Sequence, residues 1–157
     1  MFHIVLVEPE IPQNTGNISR TCAVTGTALH LVRPLGFSID DRHLKRAGLD
    51  YWKSLTLFLH DSFEEVVQSA DSSARFFLTT SKGGRCYTDV EYRDGDYLVF
   101  GKETAGLSDA IRAMFPEQCI RIPMLPHQRS LNLSNSAAVV LYEALRQGGF
   151  AGLQKTR

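Results

Sequence analysis

Short apolar runs alternate with segments of helical pattern along most of the chain, and this alternation constrains the fold more than any other feature. Strands are predicted over residues 2–7, 28–32, 54–59, 75–80, 97–100 and 119–122. Helices are predicted over residues 14–26, 40–46, 62–69, 108–114 and 133–145. Such alternation is typical of an α/β domain whose sheet is built with right-handed crossover connections. The sequence therefore predicts a largely parallel sheet flanked by helices.

The carboxyl ends of the predicted strands are where a ligand is expected, because α/β sheets bind ligands in the crevice outside those ends. Three loops lie in such positions, after Thr80, after Phe100 and after Ile122. Residues 14–20, which follow the first strand, form a fourth candidate segment. The sequence therefore predicts a site that several loops build at one edge of the sheet.

The last helix carries the strongest pattern in the chain. Apolar residues recur with the spacing of one helical face at Leu133, Ala137, Val140, Leu141, Ala144 and Leu145. Asn132 or Ser134 is predicted to cap its start, and Gly148–Gly149 to end it in a left-handed conformation. A polar loop with Arg129 and Ser130 precedes the helix, and the free N–H groups at a helix start favour anionic or hydrogen-bonding ligands.

Length and composition favour a single globular unit. The chain has 157 residues, of which 43% are hydrophobic, and this is enough to form a core. One domain is predicted over residues 1–150, with residues 151–157 as a flexible tail. The formal net charge is zero, so any binding of nucleic acid requires a local basic patch rather than bulk charge.

The sequence lacks the usual signs of secreted, membrane and metal-binding proteins. Its three cysteines are widely spaced without a Cys-x-x-Cys pair, which argues against a disulfide framework or a zinc site. No signal-peptide pattern and no membrane-spanning segment is seen, so a cytoplasmic protein without a membrane partner is expected. No metal site is predicted, because the five histidines are scattered.

The motifs of the commonest α/β enzymes are also missing. No Gly-x-Gly-x-x-Gly follows the first strand, and no Walker A loop, His-Glu-x-x-His or Gly-x-Ser-x-Gly occurs. A Rossmann dinucleotide site therefore has no support. A flavodoxin-like protein that binds a small ligand remains an alternative at this level.

Three segments, in their order and spacing, resemble the motifs of the SPOUT class of S-adenosylmethionine-dependent RNA methyltransferases: Asn14–Arg20, Phe100–Leu107 and Arg129–Ala137. Three more are similar to one subgroup, the short 2′-O-methyltransferases of the tRNA wobble position: Glu8–Pro12, Arg46–Tyr51 and Asp94–Tyr97. Each motif alone is a weak pattern, whereas together they are specific. The resemblance covers residues 2 to about 150.

The resemblance implies a fold detail, a cofactor and partners. The C-terminal region is expected to form a deep trefoil knot that holds S-adenosylmethionine largely through backbone groups. An obligate homodimer is expected, with each site near the subunit interface. The expected reaction is methylation of the ribose 2′-OH of the wobble nucleotide, a cytidine or modified uridine, in leucine tRNAs. The alternatives are 2′-O-methylation of another tRNA or rRNA nucleotide, or a non-catalytic RNA-binding factor on the same fold.

The resemblance also implies roles for individual residues. Catalytic roles are expected for Arg20, Asn14 and Tyr142. The cofactor is expected at Leu78, Gly101, Ile122, Ser130 and Leu131. Substrate contacts are expected at Glu103, Arg129, Asn132 and Arg46. Without the resemblance, Arg20 would be read as a member of a surface ion pair, Asn14 as a helix cap, Tyr142 as a buried aromatic, and Leu78 and Ile122 as core residues.

Arg20 is expected to act electrostatically. A guanidinium stays protonated in proteins and has no acceptor, so it makes a poor general base. Holding a phosphate and lowering the pKa of the 2′-OH is the more physical role, and Glu103 is expected to orient Arg20 or to contact the substrate. Other RNA phosphates are expected at the basic residues Arg42, Lys45, Arg46, Arg121 and Arg129.

Overall fold

A computed structural model describes residues 1–40, 42, 46 and 51–156, and this part of the chain forms a seven-stranded sheet. The strands are β1 (His3–Val7), β2 (Ala28–Val32), β3 (Leu57–His60), β4 (Phe76–Thr79), β5 (Arg85–Cys86), β6 (Tyr97–Phe100) and β7 (Cys119–Arg121). Neighbouring strands are parallel throughout, in the order β3-β2-β1-β6-β4-β7-β5. The predicted parallel sheet is therefore confirmed.

Helices cover both faces of this sheet. They are α1 (Pro12–Thr25), α2 (Phe63–Ser69), α3 (Asp109–Met114) and α4 (Leu133–Gln147), with 3-10 turns at Trp52–Ser54 and Pro116–Gln118. Strands β2 and β3 lie successively on one side of β1, and strands β4 to β7 lie on its other side. A reversal of this kind opens a crevice at the carboxyl ends of the strands beside it.

Side chains of β1 alternate between two hydrophobic clusters, one on each face of the sheet. Ile4 and Leu6 belong to the cluster that α1 and α4 cover. Val5 and Val7 belong to the cluster on the opposite face, which α2 covers. Successive residues of a strand point to opposite faces, so a strand buried on both sides is a continuous apolar run.

Helix α1 begins earlier than predicted. Its first residue is Pro12, and proline suits this position because the missing N–H would have no partner within the helix. The reading of Asn14 as the helix cap, which the sequence alone suggests, was wrong, since Ile11 occupies the cap position and supplies no capping side chain. The carboxylate of the distant Glu103 accepts the hydrogen bond of the Ile11 N–H instead.

Both predicted ends of α4 are confirmed. The side-chain oxygen of Asn132 caps the start, because it accepts hydrogen bonds from the N–H groups of Ser134 at 2.9 Å and Asn135 at 3.2 Å. At the other end, Gly149 adopts the left-handed conformation with a φ of 66°. A glycine reaches this conformation without the strain that a Cβ would cause.

Some elements differ from the prediction. Strand β5 was missed because a two-residue strand has no readable periodicity. The strand predicted from residue 54 begins at Leu57, after a 3-10 turn. Most of the helix predicted over residues 40–46 lies outside the described residues, and the trefoil knot stays a prediction from the resemblance. Among the described residues, no helix combines the length and the apolar character that a membrane span requires.

Candidate active site

A cavity of about 820 Å³ opens at the carboxyl ends of β4, β6 and β7. Its walls come from residues 79–82, 100–107 and 129–133, with Ile11, Asn14, Ile122, Met124 and Ser136. All three loops predicted at the carboxyl ends of the strands contribute, and the fourth candidate segment contributes Asn14. The predicted site residues on these walls are Asn14, Gly101, Glu103, Ile122, Arg129, Ser130, Leu131 and Asn132. The volume suits a small-molecule ligand or cofactor, whose sites span roughly 300–1,000 Å³.

One wall is a loop that folds tightly back on itself after β6. The N–H of Gly106 donates to the carbonyl oxygen of Lys102 at 2.8 Å, and Gly106 has a φ of 68°. A Cβ placed on Gly101 would lie 2.1 Å from the carbonyl carbon of Gly106. Gly101 is therefore required for closing this loop, whatever it contributes to a ligand.

The carboxylate of Glu103 joins that loop to the start of α1. It accepts hydrogen bonds from the backbone N–H groups of Glu10 at 2.8 Å and Ile11 at 3.0 Å. Its negative charge also suits the positive end of the helix dipole. In return, the carboxylate of Glu10 accepts from the N–H and the hydroxyl of Thr104, each at 3.0 Å. Glu103 therefore acts as a cap supplied from another loop.

Asn14 extends the same network to the start of α4. It is 6% exposed, and its side-chain amide donates to Glu103 at 3.2 Å. Its oxygen accepts from the side-chain amide of Asn132 at 3.1 Å. Asn132 in turn caps α4, so hydrogen bonds join the loop after β6 and the starts of two helices. These hydrogen bonds therefore fix the positions of the cavity walls relative to one another.

Arg20 lies outside this cavity. It shares the exposed face of α1 with Asn17 and Val24, and about 9 Å of helix rise separates it from Asn14. Its Nη2 donates to the hydroxyl of Tyr51 at 3.3 Å, and its Cζ lies 4.8 Å from the centroid of the Tyr51 ring. The surface ion pair that the sequence alone suggested for Arg20 is not formed within the described part of the chain. Arg20 also makes no contact there with Glu103, which was expected either to orient it or to contact the substrate.

The other predicted residues are not on the cavity walls. Leu78 is fully buried in the core cluster that α2 covers, next to Thr79, which does line the cavity. Tyr142 is 47% exposed on α4, so it is not a core aromatic of this chain. Arg46 is exposed, and Lys45 of the predicted basic cluster lies outside the described residues. The roles expected for these residues stay predictions.

The charges on the cavity walls are unevenly paired. The ammonium of Lys102 binds Glu8 at 2.8 Å, and this hydrogen bond raises the pKa of Lys102. The carboxylate of Glu103 is committed to N–H groups. Within the described part of the chain, Lys82 and Arg129 have no side-chain hydrogen bond or ion pair. The rim is therefore left with positive charge, which suits an anionic group of a ligand.

Three residues near the site carried no predicted role. The hydroxyl of Thr79 is buried without a hydrogen-bond partner among the described residues, which is costly unless a ligand or water satisfies it. Lys82 lies in the turn that follows. Thr79 and Lys82 could have been found from the sequence, because both lie at the carboxyl end of a predicted strand, where a ligand is expected. Tyr51 belongs to a segment that carries the resemblance, but only the fold brings it to Arg20.

A model of the SpoU rRNA methylase family matches residues 1–142 of this chain. The chain belongs to the SpoU methylase family. This match covers all the walls of the cavity and the whole of α1.

Individual members of the SpoU family are similar over nearly the whole chain. A tRNA (cytidine(34)-2′-O)-methyltransferase of Methylovorus glucosotrophus (strain SIP3-4) is 55% identical over 153 residues, which are 97% of this chain and 99% of the relative. A solved structure that gives insight into the 2′-OH methylation of C/U34 on tRNA has a TM-score of 0.91 and 46% identity, and the match covers 96% of this chain and 97% of that chain. The SpoU methyltransferase AviRb of Streptomyces viridochromogenes, in complex with the cofactor AdoMet, has a TM-score of 0.84 and 28% identity, and the match covers 96% of this chain and 58% of that chain.

Proposed function

We propose that this protein is an S-adenosylmethionine-dependent tRNA methyltransferase that modifies the ribose 2′-OH of nucleotide 34, the wobble position. One observation carries the proposal. The residues of the cavity walls lie in a chain that is 55% identical, over 97% of its length, to a tRNA (cytidine(34)-2′-O)-methyltransferase. Cytidine and modified uridine are the proposed target nucleotides.

The residues of the cavity fit S-adenosylmethionine. The volume is sufficient, Ile122 and Leu131 offer apolar contact to an adenine, and the buried hydroxyl of Thr79 needs a partner. Gly101 and Ser130 also line the cavity and would hold the cofactor with them. When bound, the cofactor would supply a sulfonium methyl group whose carbon an oxygen nucleophile can attack in line, with the thioether S-adenosylhomocysteine as the leaving group. The protein's part is to align that oxygen and to exclude water.

Arg20 is the proposed catalytic residue on the RNA side. Its guanidinium keeps its positive charge and offers five N–H donors, so it can hold a phosphate next to the target ribose. The same charge stabilises the negative charge that develops on the 2′-oxygen, which lowers the pKa of that hydroxyl. The 2′-oxygen would enter a cavity whose shape depends on Asn14, Glu103 and Asn132, because hydrogen bonds join their side chains.

A homodimer is the proposed active form. Val24, Val139 and Tyr142 are 48%, 36% and 47% exposed on α1 and α4, two helices that pack against each other, and a second copy would cover these side chains. Arg20 is on the same exposed face of α1 as Val24 and does not line the cavity of its own chain. Pairing through this face would bring Arg20 and Tyr142 of one protomer toward the cavity of its partner.

Leucine tRNAs are the proposed substrates, because the segments Glu8–Pro12, Arg46–Tyr51 and Asp94–Tyr97 resemble the subgroup that acts on them. A cytoplasmic location is proposed for an enzyme that acts on tRNA. Residues 1–150 are proposed to form the catalytic domain. Leu153 packs half-buried against the core, so the proposed tail is attached at least to that point.

Methyl transfer from labelled S-adenosylmethionine to total tRNA tests the proposal, with the modified nucleosides mapped. The tRNA is taken from cells that lack this protein, so that the target is unmodified. A 2′-O-methylated nucleotide 34 in leucine tRNAs is the expected product. Methylation at another position would retain the chemistry and reject the substrate. Cofactor binding without methylation would favour a non-catalytic RNA-binding factor on this fold.

A further inference from the structure

We infer that Tyr51 is a positioning residue that holds the guanidinium of Arg20 for the RNA, and this inference rests on the methyltransferase function proposed above. Two different parts of Tyr51 contact Arg20. Its hydroxyl oxygen accepts a hydrogen bond from Nη2 at 3.3 Å. Its ring faces the guanidinium, with 4.8 Å between Cζ and the ring centroid, which is within the range of a cation–π interaction.

The backbone of Tyr51 is itself anchored. Its carbonyl oxygen accepts from the N–H of Ser54 at 3.1 Å and from the hydroxyl of Ser54 at 2.9 Å. These bonds close the 3-10 turn Trp52–Ser54, which packs against α1, and Leu55 then enters the core. The phenol is therefore presented to Arg20 from a turn that is tied to the same helix.

Arg20 needs such a partner because it is exposed on a helix face and its side chain has four rotatable bonds. Without a partner it would sample many rotamers, and ordering it when RNA binds would weaken binding and slow the reaction. No carboxylate in the described part of the chain restrains it. Tyr51 restrains it by contacts to one N–H and one face.

A neutral partner also preserves the chemistry proposed for Arg20. A carboxylate would compete with an RNA phosphate for the same fork of N–H donors and would cancel the positive charge. A phenol accepts one hydrogen bond and leaves the charge and the other donors available. The pair of Arg20 and Tyr51 therefore orders the guanidinium without neutralising it.

Two substitutions separate the contributions of the hydroxyl and the ring. Tyr51→Phe removes the hydrogen bond and is expected to slow single-turnover methyl transfer to tRNA about 2- to 10-fold, the range of one hydrogen bond. Tyr51→Leu removes both contacts and is expected to slow it further. S-adenosylmethionine affinity, measured by calorimetry, stays unchanged in both. Tyr87→Phe is the matched control, since the hydroxyl of Tyr87 has no hydrogen bond within the described part of the chain.

A double-mutant cycle with Arg20→Lys distinguishes positioning from a general structural effect. If Tyr51 acts through the guanidinium, Tyr51→Phe slows the wild-type background and has little further effect in the Arg20→Lys background. Equal losses in both backgrounds, or no loss in the wild-type background, would overturn the inference. A wild-type protein that methylates no tRNA would instead reject the proposed function. If Tyr51→Leu fails to fold, the Tyr51→Phe cycle still decides the question.

Discussion

The side-chain amide of Asn132 donates to the side-chain oxygen of Asn14 at 3.1 Å, although 118 residues separate the two in the chain. This bond joins the start of α4 to the first turn of α1. Asn14 also donates to Glu103, so the loop after β6 enters the same network. The cavity walls are therefore coupled, and a change at one wall is expected to affect the others.

Two substitutions of Asn132 separate the cap from the bridge. Asn132→Asp keeps an oxygen that accepts from the first turn of α4 but removes the N–H group that faces Asn14. Asn132→Ala removes both, and it is expected to lower the free energy of unfolding by about 1 kcal/mol, the usual contribution of a cap. Both variants are expected to lose methyl transfer, and Asn132→Ala is expected to lose more stability in urea denaturation, because it alone loses the cap. Wild-type activity in Asn132→Asp would show that the bridge is not needed.

Gly101→Ala and Gly106→Ala are a matched pair in one loop. A Cβ at Gly101 would lie 2.1 Å from a backbone atom of Gly106, so the loop must move. This movement is expected to lower the free energy of unfolding by about 3 kcal/mol and to abolish cofactor binding. A Cβ at Gly106 meets no atom within 4 Å, and its φ of 68° costs only about 1–2 kcal/mol. Calorimetry with S-adenosylmethionine should therefore separate the two variants. Equal affinities would contradict the role given to loop closure.

The sheet could be predicted from sequence because its signals are local. A central strand such as Tyr97–Phe100 is buried on both faces and reads as an uninterrupted apolar run. The start of α4 was predictable for the same reason, since its cap, Asn132, is the adjacent residue. The carboxyl ends of the predicted strands then indicated which loops could hold a ligand, and those loops do form the cavity.

The start of α1 and the surroundings of Arg20 could not be predicted in this way. The group that caps α1 belongs to Glu103, which is 92 residues from Ile11 in the chain, and no local pattern reports such a partner. Tyr51 reaches Arg20 across 31 residues for the same reason. The finding that Arg20 does not line the cavity of its own chain could not be predicted either. A sequence motif gives the order of residues along the chain and does not show which of them are close in space.

The proposed dimer face is tested by placing a charge on it. Val139→Glu introduces a carboxylate that would be desolvated between two copies, so a monomer is expected in light scattering, with at least a tenfold loss of methyl transfer. Met114→Glu is the control, because Met114 is 39% exposed against 36% for Val139 and lies on α3, away from this face. A Val139→Glu protein that remains dimeric, or that is monomeric and fully active, would contradict the proposal.

A ladder of histidines across β1, β2 and β3 is expected to make the protein sensitive to acid. Nδ1 of His3 lies 3.0 Å from Nε2 of His30, and Nδ1 of His30 lies 2.9 Å from Nε2 of His60. Burial, and then repulsion from His3 and His60, lowers the pKa of His30 from 6.5 to about 3. Burial also lowers the pKa of His3 and of His60.

The sign of the effect follows from proton binding. Between pH 6.5 and about 3, the unfolded chain binds a proton at His30 that the folded protein does not, so the free energy of unfolding falls as pH is lowered. Urea midpoints between about pH 7.5 and 5 should show this fall before most carboxylates titrate. His30→Gln should flatten the slope. Identical slopes in the wild type and His30→Gln would assign the acid sensitivity to other groups.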